Sequence, residues 1–189
     1  MSILIDKLPT NVEIEGENYD INSDFRTSIL FTQLVEDELI EEKEKIPLIL
    51  NLFYPVWPKR TDKAIEKIMW FYRCGKEIRS VKGKKCNNNG EKILDYEIDD
   101  IYIYSAFISQ YKIDLQDIEY LHWWKFKALL EGLNKDNKIC EIMKYRSIDL
   151  NSIKDKEERK FYKQMKDIYS IGISGEYLEL LNEWNEKLK

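Results

Sequence analysis

The chain has 189 residues, of which 43% are hydrophobic, 13% aromatic and 34% charged, with a formal net charge of −5. A chain of this length can bury roughly 70% of its unfolded surface, which removes any need for disulfide staples, and its apolar and aromatic content is that of a folded rather than a disordered chain. The acidic balance argues against nucleic acid as a partner, because phosphate recognition rests on clustered Lys and Arg, and no apolar run approaches the ~18 residues of a membrane span.

The length predicts one domain, or one domain with an appended element. Cys74, Cys86 and Cys140 are odd in number and widely spaced. They match no metal motif and fit free thiols in a reducing cytoplasm. The stretch from Met1 to Pro9 lacks a basic segment followed by a long apolar core, so no signal peptide is indicated. These features predict a soluble cytoplasmic protein.

In chain order, residues 12–21 alternate apolar and polar side chains around Gly16, the pattern of a short β-hairpin. Two strands alone are barely stable, so the hairpin must pack on something else. Asn22, Ser23 and Asp24 offer N-caps for a long helix running to about Lys45. Its first half is apolar almost all round (Phe25, Ile29, Leu30, Phe31, Leu34, Val35), and its second half turns acidic toward solvent. Residues 46–54 read as a short helix with Pro47 in its first turn. Pro55 and Pro58 then hold Val56 and Trp57 in an extended connection. Thr61 or Asp62 caps an amphipathic helix with the stripe Ile65, Ile68, Met69 and Tyr72, ending near Gly75.

Residues 76–92 change character: Lys76, Arg79, Lys82, Lys84, Lys85 and Lys92 surround glycines and three asparagines. This reads as a flexible solvated loop, since no P-loop spacing is present. The carboxylates Asp95, Glu97, Asp99 and Asp100 follow. Paired carboxylates suit glycoside hydrolysis or a metal site, but capping of the helix through Ile101, Tyr104, Ile108 and Tyr111 is the simpler account. Loose pairing with the neighbouring basic loop would add ~0–1 kcal/mol per pair.

The densest run of large side chains is residues 121–133, which holds two of the five Trp and the only His. At helical spacing Trp123, Phe126, Leu129, Leu130 and Leu133 share a broad face, while Leu121, Trp124 and Ala128 form a second stripe. A helix apolar on two faces is buried between neighbours. His122 therefore reads as a core or first-turn histidine rather than a base or ligand, because no second His or Cys-x-x-Cys accompanies it. Further amphipathic patterns use Ile139, Ile142, Met143 and Tyr145, then Phe161, Tyr162, Met165, Ile168 and Tyr169, then Tyr177, Leu180, Leu181, Trp184 and Leu188. The last two form either a terminal helical hairpin or a partner-binding arm. The predicted fold is mainly α: a compact helical domain over residues 1–146 with a short N-terminal hairpin, and a helical extension over 147–189.

Three groups of residues form a recognisable set: Leu8-Pro9 with the hairpin and the stretch Ile21 to Arg26, then Trp70 to Gly75, then Asp99 to Tyr102 onward through Leu121 to Phe126 and Leu129 to Leu133, with Met143 and Tyr145-Arg146 continuing. Together they resemble a bacteriophage family named for gene product fifteen, found in siphophages of Gram-positive bacteria. The match covers most of residues 1–150, and the basic loop is longer than the resemblance implies. Genes of this family usually lie between those for the tail tube and the tape measure. The resemblance thus implies a non-enzymatic tail-assembly chaperone in the cytoplasm of the bacterial host, with the tape-measure protein and the tail-tube protein as partners. Many copies could coat one elongated partner as a homo-oligomer. The alternative is a structural minor tail or connector protein of the virion. No catalytic, cofactor-binding or metal-ligating residue is implied. Trp57, Tyr162, Tyr169, Tyr177 and Trp184 are the candidate partner-binding residues, on the grounds that aromatic side chains anchor interfaces.

Overall fold

The computed structural model describes residues 3–76 and 92–171. The expected mainly α fold is present: a two-stranded hairpin precedes seven α-helices among the described residues. The chain divides into two compact units, each discontinuous in sequence. One gathers the described residues of Met1–Lys84 and Tyr111–Leu133, the other those of Lys85–Gln110 and Asn134–Lys189. Neither unit has a border at residue 146. Residues 77–91 of the predicted basic loop 76–92, and the pattern from Tyr177 to Leu188, lie outside the described residues.

In the first unit, β1 (Asn11–Ile14) pairs antiparallel with β2 (Glu17–Asp20). Glu15 and Gly16 form the two-residue turn, both at positive φ (51° and 82°), the mirror-image conformation that matches the twist of a tight hairpin. Val12 and Ile14 are buried while Asn11 and Glu13 are exposed, as period-two alternation dictates. Helix α1 (Phe25–Glu36) starts at Asp24, whose carboxylate accepts the Arg26 N–H.

The predicted long helix does not continue to Lys45; α1 stops at Glu36 and α2 runs over Glu42–Phe53. Asp37 causes the stop, its side chain accepting the Leu39 N–H at 2.8 Å and so offering the backbone a turn in place of a helix. Lys45 then closes the gap. Nearly buried, its ammonium donates to the Val35 carbonyl in the last turn of α1 and to Glu42, each at 2.8 Å. A cation at that position satisfies an orphan carbonyl and the negative end of the helix together. Glu42 and Glu44 stabilise the start of α2, so Pro47 lies beyond its first turn rather than inside it.

Helix α3 spans Thr61–Tyr72. Neither Thr61 nor Asp62 caps it; Arg60 occupies the N-cap without a side-chain bond and instead clamps Asp62, holding that carboxyl down at about 2. Its fully buried residues are Ala64, Ile68 and Phe71, so the core face is rotated from the predicted Ile65–Met69 stripe. Phe31, Phe53, Phe71 and Tyr72 meet edge to face across α1, α2 and α3, with centroids 5.1–6.2 Å apart. Helix α5 (Trp123–Glu131) completes this unit.

In the second unit, α4 (Asp100–Tyr111, its last residue belonging to the first unit) is followed by α6 (Lys138–Ser147) and, after a 3-10 turn at Leu150–Ser152, by α7 (Lys156–Ile168). Ile139 and Ile142 are fully buried on α6, as predicted, and Tyr145 is nearly so.

Candidate functional site

Two kinds of place could carry function: the aromatic centre around α5, and the apolar surface left exposed elsewhere. The centre proves to be closed. Trp123 and Trp124 are 0% and 3% exposed. Their indole N–H groups donate to the carbonyls of Tyr72 and Phe71, both at 2.8 Å. Those carbonyls belong to the last turn of α3, past its regular ladder, and that of Phe71 also accepts the Cys74 N–H at 2.9 Å. The tryptophans thus fill the core and finish a neighbouring helix with one set of atoms. Gly75 shows how tight the fit is: its φ is +69°, and a Cβ there would lie 2.8 Å from the Trp124 ring.

His122 is the N-cap of α5. Its Nδ1 accepts the Trp124 N–H at 3.0 Å, which leaves Nε2 to donate to the Pro9 carbonyl, also 3.0 Å away. Burial holds the imidazole below its ordinary value, with Lys125 adding to the effect and the Pro9 contact opposing it. Both ring nitrogens are engaged and the side chain is 3% exposed, so the structural reading of this histidine holds. Around it, the stretch Ile21 to Arg26 locks onto residues 115–123. Phe25 N–H and Trp123 N–H bond to Leu121 and Ser23 carbonyls, Asp24 accepts the Leu121 N–H, and Arg26 donates to the Leu115 and Ile118 carbonyls. Phe25 stacks on Phe126 at 4.7 Å.

Other reactive side chains offer little more. Burial pushes the Cys74 and Cys140 thiols up, away from the thiolate that nucleophilic chemistry needs; Cys86 lies outside the described residues. Among the described residues, no cluster of His, Cys, Asp and Glu could hold a metal ion, and no helix is long and apolar enough to cross a membrane.

The acidic cluster behaves differently from a set of caps. Asp99 is fully buried and forms a two-pronged ion pair with Arg146, at 2.5 and 2.9 Å. It also accepts the Asp95 N–H, while its own carbonyl accepts the first N–H groups of α4. Asp95 makes a local turn, accepting from Glu97 and Ile98, and pairs with Lys92 at 2.6 Å. Only Asp100 sits in the first turn as predicted. Arg146 further donates to the carbonyls of Ile93 and Tyr169, so one guanidinium ties three chain segments together. Sequence reasoning missed this pair, and the only trace was the presence of both residues in the family-like segments.

The exposed apolar surface lies elsewhere. Trp57 is 46% exposed, and its indole N–H donates to Asn51 on α2 at 2.9 Å, which holds the ring in one place. Val56, Ile46 and Leu48 are exposed in the same unit. In the second unit, Tyr162 and Tyr169 come together around Tyr145: Tyr169 stacks on it at 5.8 Å and Tyr162 lies 6.1 Å away. Lys144 donates to the Tyr162 hydroxyl, and Lys138 sits 5.0 Å over the Tyr169 ring. Helix α7 has no fully buried residue, and Phe161 and Ile168 are 48% and 59% exposed. Of the five predicted partner-binding residues, the structure gathers Tyr162 and Tyr169 and places Trp57 in the other unit. Tyr177 and Trp184 lie outside the described residues.

Comparison with known families matches the chain over residues 4–171 to the family model described as Bacteriophage Gp15 protein. Comparison with curated proteins and with solved structures gave no match. With the match covering most of its length, the chain belongs to the bacteriophage Gp15 protein family, a family of phage structural and assembly proteins.

Proposed function

We propose that this member of the Gp15 family is a non-enzymatic chaperone of phage tail assembly, binding the tape-measure protein in the cytoplasm of the bacterial host and handing it to tail-tube subunits. The observation that carries this reading is α7, an amphipathic helix that holds Phe161 and Ile168 in solvent while anchored through Tyr162 and Tyr169. A helix of this kind suits a groove or stripe on an elongated helical partner. Single contacts of this size are weak, and many copies along one partner gain avidity instead. The net charge of −5 supports solubility in a crowded assembly.

Co-expression with the neighbouring tape-measure product tests this. The tape-measure protein becomes soluble and co-purifies, and the double substitution Phe161→Ser and Ile168→Ser abolishes the co-purification while leaving the fold intact. A tape-measure protein that stays insoluble and unbound removes the main support. A minor tail or connector protein is the alternative, and it would be present in purified particles where a chaperone is absent. The non-enzyme reading fails if His122→Ala collapses phage yield with folding and partner binding preserved.

A further inference from the structure

The N-terminal hairpin carries a feature that tail-assembly chaperoning does not use. In the ladder, Ile14 and Glu17 flank the two-residue turn, and Ile21 donates to the Thr10 carbonyl at 2.9 Å. Residues 10, 12 and 14 therefore direct their backbone groups inward to β2. By alternation, the N–H and C=O groups of Asn11 and Glu13 point out of the sheet edge. Among the described residues β1 pairs only with β2, and no hydrogen bond is made by these outward groups. Beside them lies an open groove of about 480 Å³, lined by residues 7–13 and by Lys67 and Trp70 of α3.

We propose that this groove receives an extended acidic peptide segment, which adds to β1 as a third strand. Unpaired strand edges are templates for another extended backbone, since that meets donors and acceptors at the strand repeat. The charge selects the sequence. Lys7 and Lys67 line the groove against the single carboxylate of Glu13, and among the described residues neither lysine has an ion-pair partner. Trp70, set edge-on against Trp124 at 5.6 Å, supplies a fixed aromatic wall for the apolar side chains of an alternating peptide. The site is independent of α7, so it stands or falls apart from the tape-measure reading.

The test titrates the intact 15N-labelled protein with a synthetic hexapeptide alternating valine and glutamate, read by amide chemical shifts. Saturable shifts at Asn11 and Glu13 are expected. The same peptide N-methylated at every residue, which cannot donate to the edge, should leave them unmoved. Lys7→Glu with Lys67→Glu should weaken binding by roughly tenfold, the scale for reversing two exposed charges. Asn11→Pro removes only an outward donor and keeps the β1–β2 ladder, which the unchanged Val12 and Ile14 amides will verify; it should abolish binding. The proposal is overturned if the Asn11 and Glu13 amides do not respond, if the N-methylated peptide binds equally well, or if Asn11→Pro binds unchanged. It is also overturned if those amides shift with protein concentration alone, which would put a second copy of this chain at the edge.

Discussion

Helices α5 and α7 are alike in sequence and opposite in fate. Each carries large side chains at helical spacing, and each has polar residues between them. Yet Trp123, Trp124 and Phe126 on α5 are buried, whereas α7 has no fully buried residue and leaves Phe161 and Ile168 in solvent. The difference lies in what each helix offers its surroundings. The α5 indoles are donors that meet the Phe71 and Tyr72 carbonyls in the last turn of α3, so burial satisfies the indole N–H groups as well. The α7 rings meet Tyr145 and lysine ammonium groups, contacts that work as well at a surface. The polar atoms around an aromatic stripe, rather than the stripe itself, therefore decide how far its own chain covers it.

The largest expected effect removes the polar support of the second unit. Arg146→Met leaves the Asp99 carboxylate buried and unpaired and should cost about 3–5 kcal/mol in urea unfolding, with Asp99→Asn recovering part of it. It also frees the Tyr169 carbonyl, so it loosens α7 specifically. Trp123→Ala should cost a similar ~3–5 kcal/mol through the cavity and the lost bond to Tyr72. Its counterpart on α7, Phe161→Ser, should change stability by no more than about 1 kcal/mol. Equal losses for the two would break the contrast. Gly75→Ala combines a left-handed backbone with a clash against Trp124 and should cost about 1–3 kcal/mol.

A pH titration of stability gives a smaller signal. Because His122 in the folded state is held below its ordinary value, the unfolded chain takes up the proton first. The contribution is complete above the ordinary imidazole range and is lost as the pH falls from there through the folded value. Urea midpoints measured between about pH 7.5 and about pH 5.5 should decline, and His122→Asn should flatten that part of the profile.

Local pattern carried much of this fold. Alternation around Gly16 gave the hairpin, and the two-faced apolar pattern of residues 121–133 pointed to burial of both tryptophans. The misses share one cause. Nothing between Glu36 and Lys45 breaks a helix by composition; the break comes from an Asp37 turn and from Lys45 reaching back to α1. The acidic run read as capping because its true partner, Arg146, is 47 residues from Asp99. The α3 stripe was centred one face away because Phe71, which meets Phe53 and Trp124, determines which side is covered. Residue type alone singles out Trp57, Tyr162 and Tyr169, but the meeting of the two tyrosines around Tyr145 is legible only in the folded chain.

The indole bonds to the end of α3 have a consequence in time. A ribosome that has finished α1, α2 and α3 has not yet made Trp123 or Trp124, so the Phe71 and Tyr72 carbonyls wait without those donors and Gly75 without its covering ring. The polypeptide between them, including all but the last residue of α4, must be synthesised before the first unit can close. Such late, long-range closure slows folding and leaves apolar surface bare in the meantime. A fragment ending before residue 123 should accordingly be aggregation-prone, and supplying residues 111–133 in trans should rescue it.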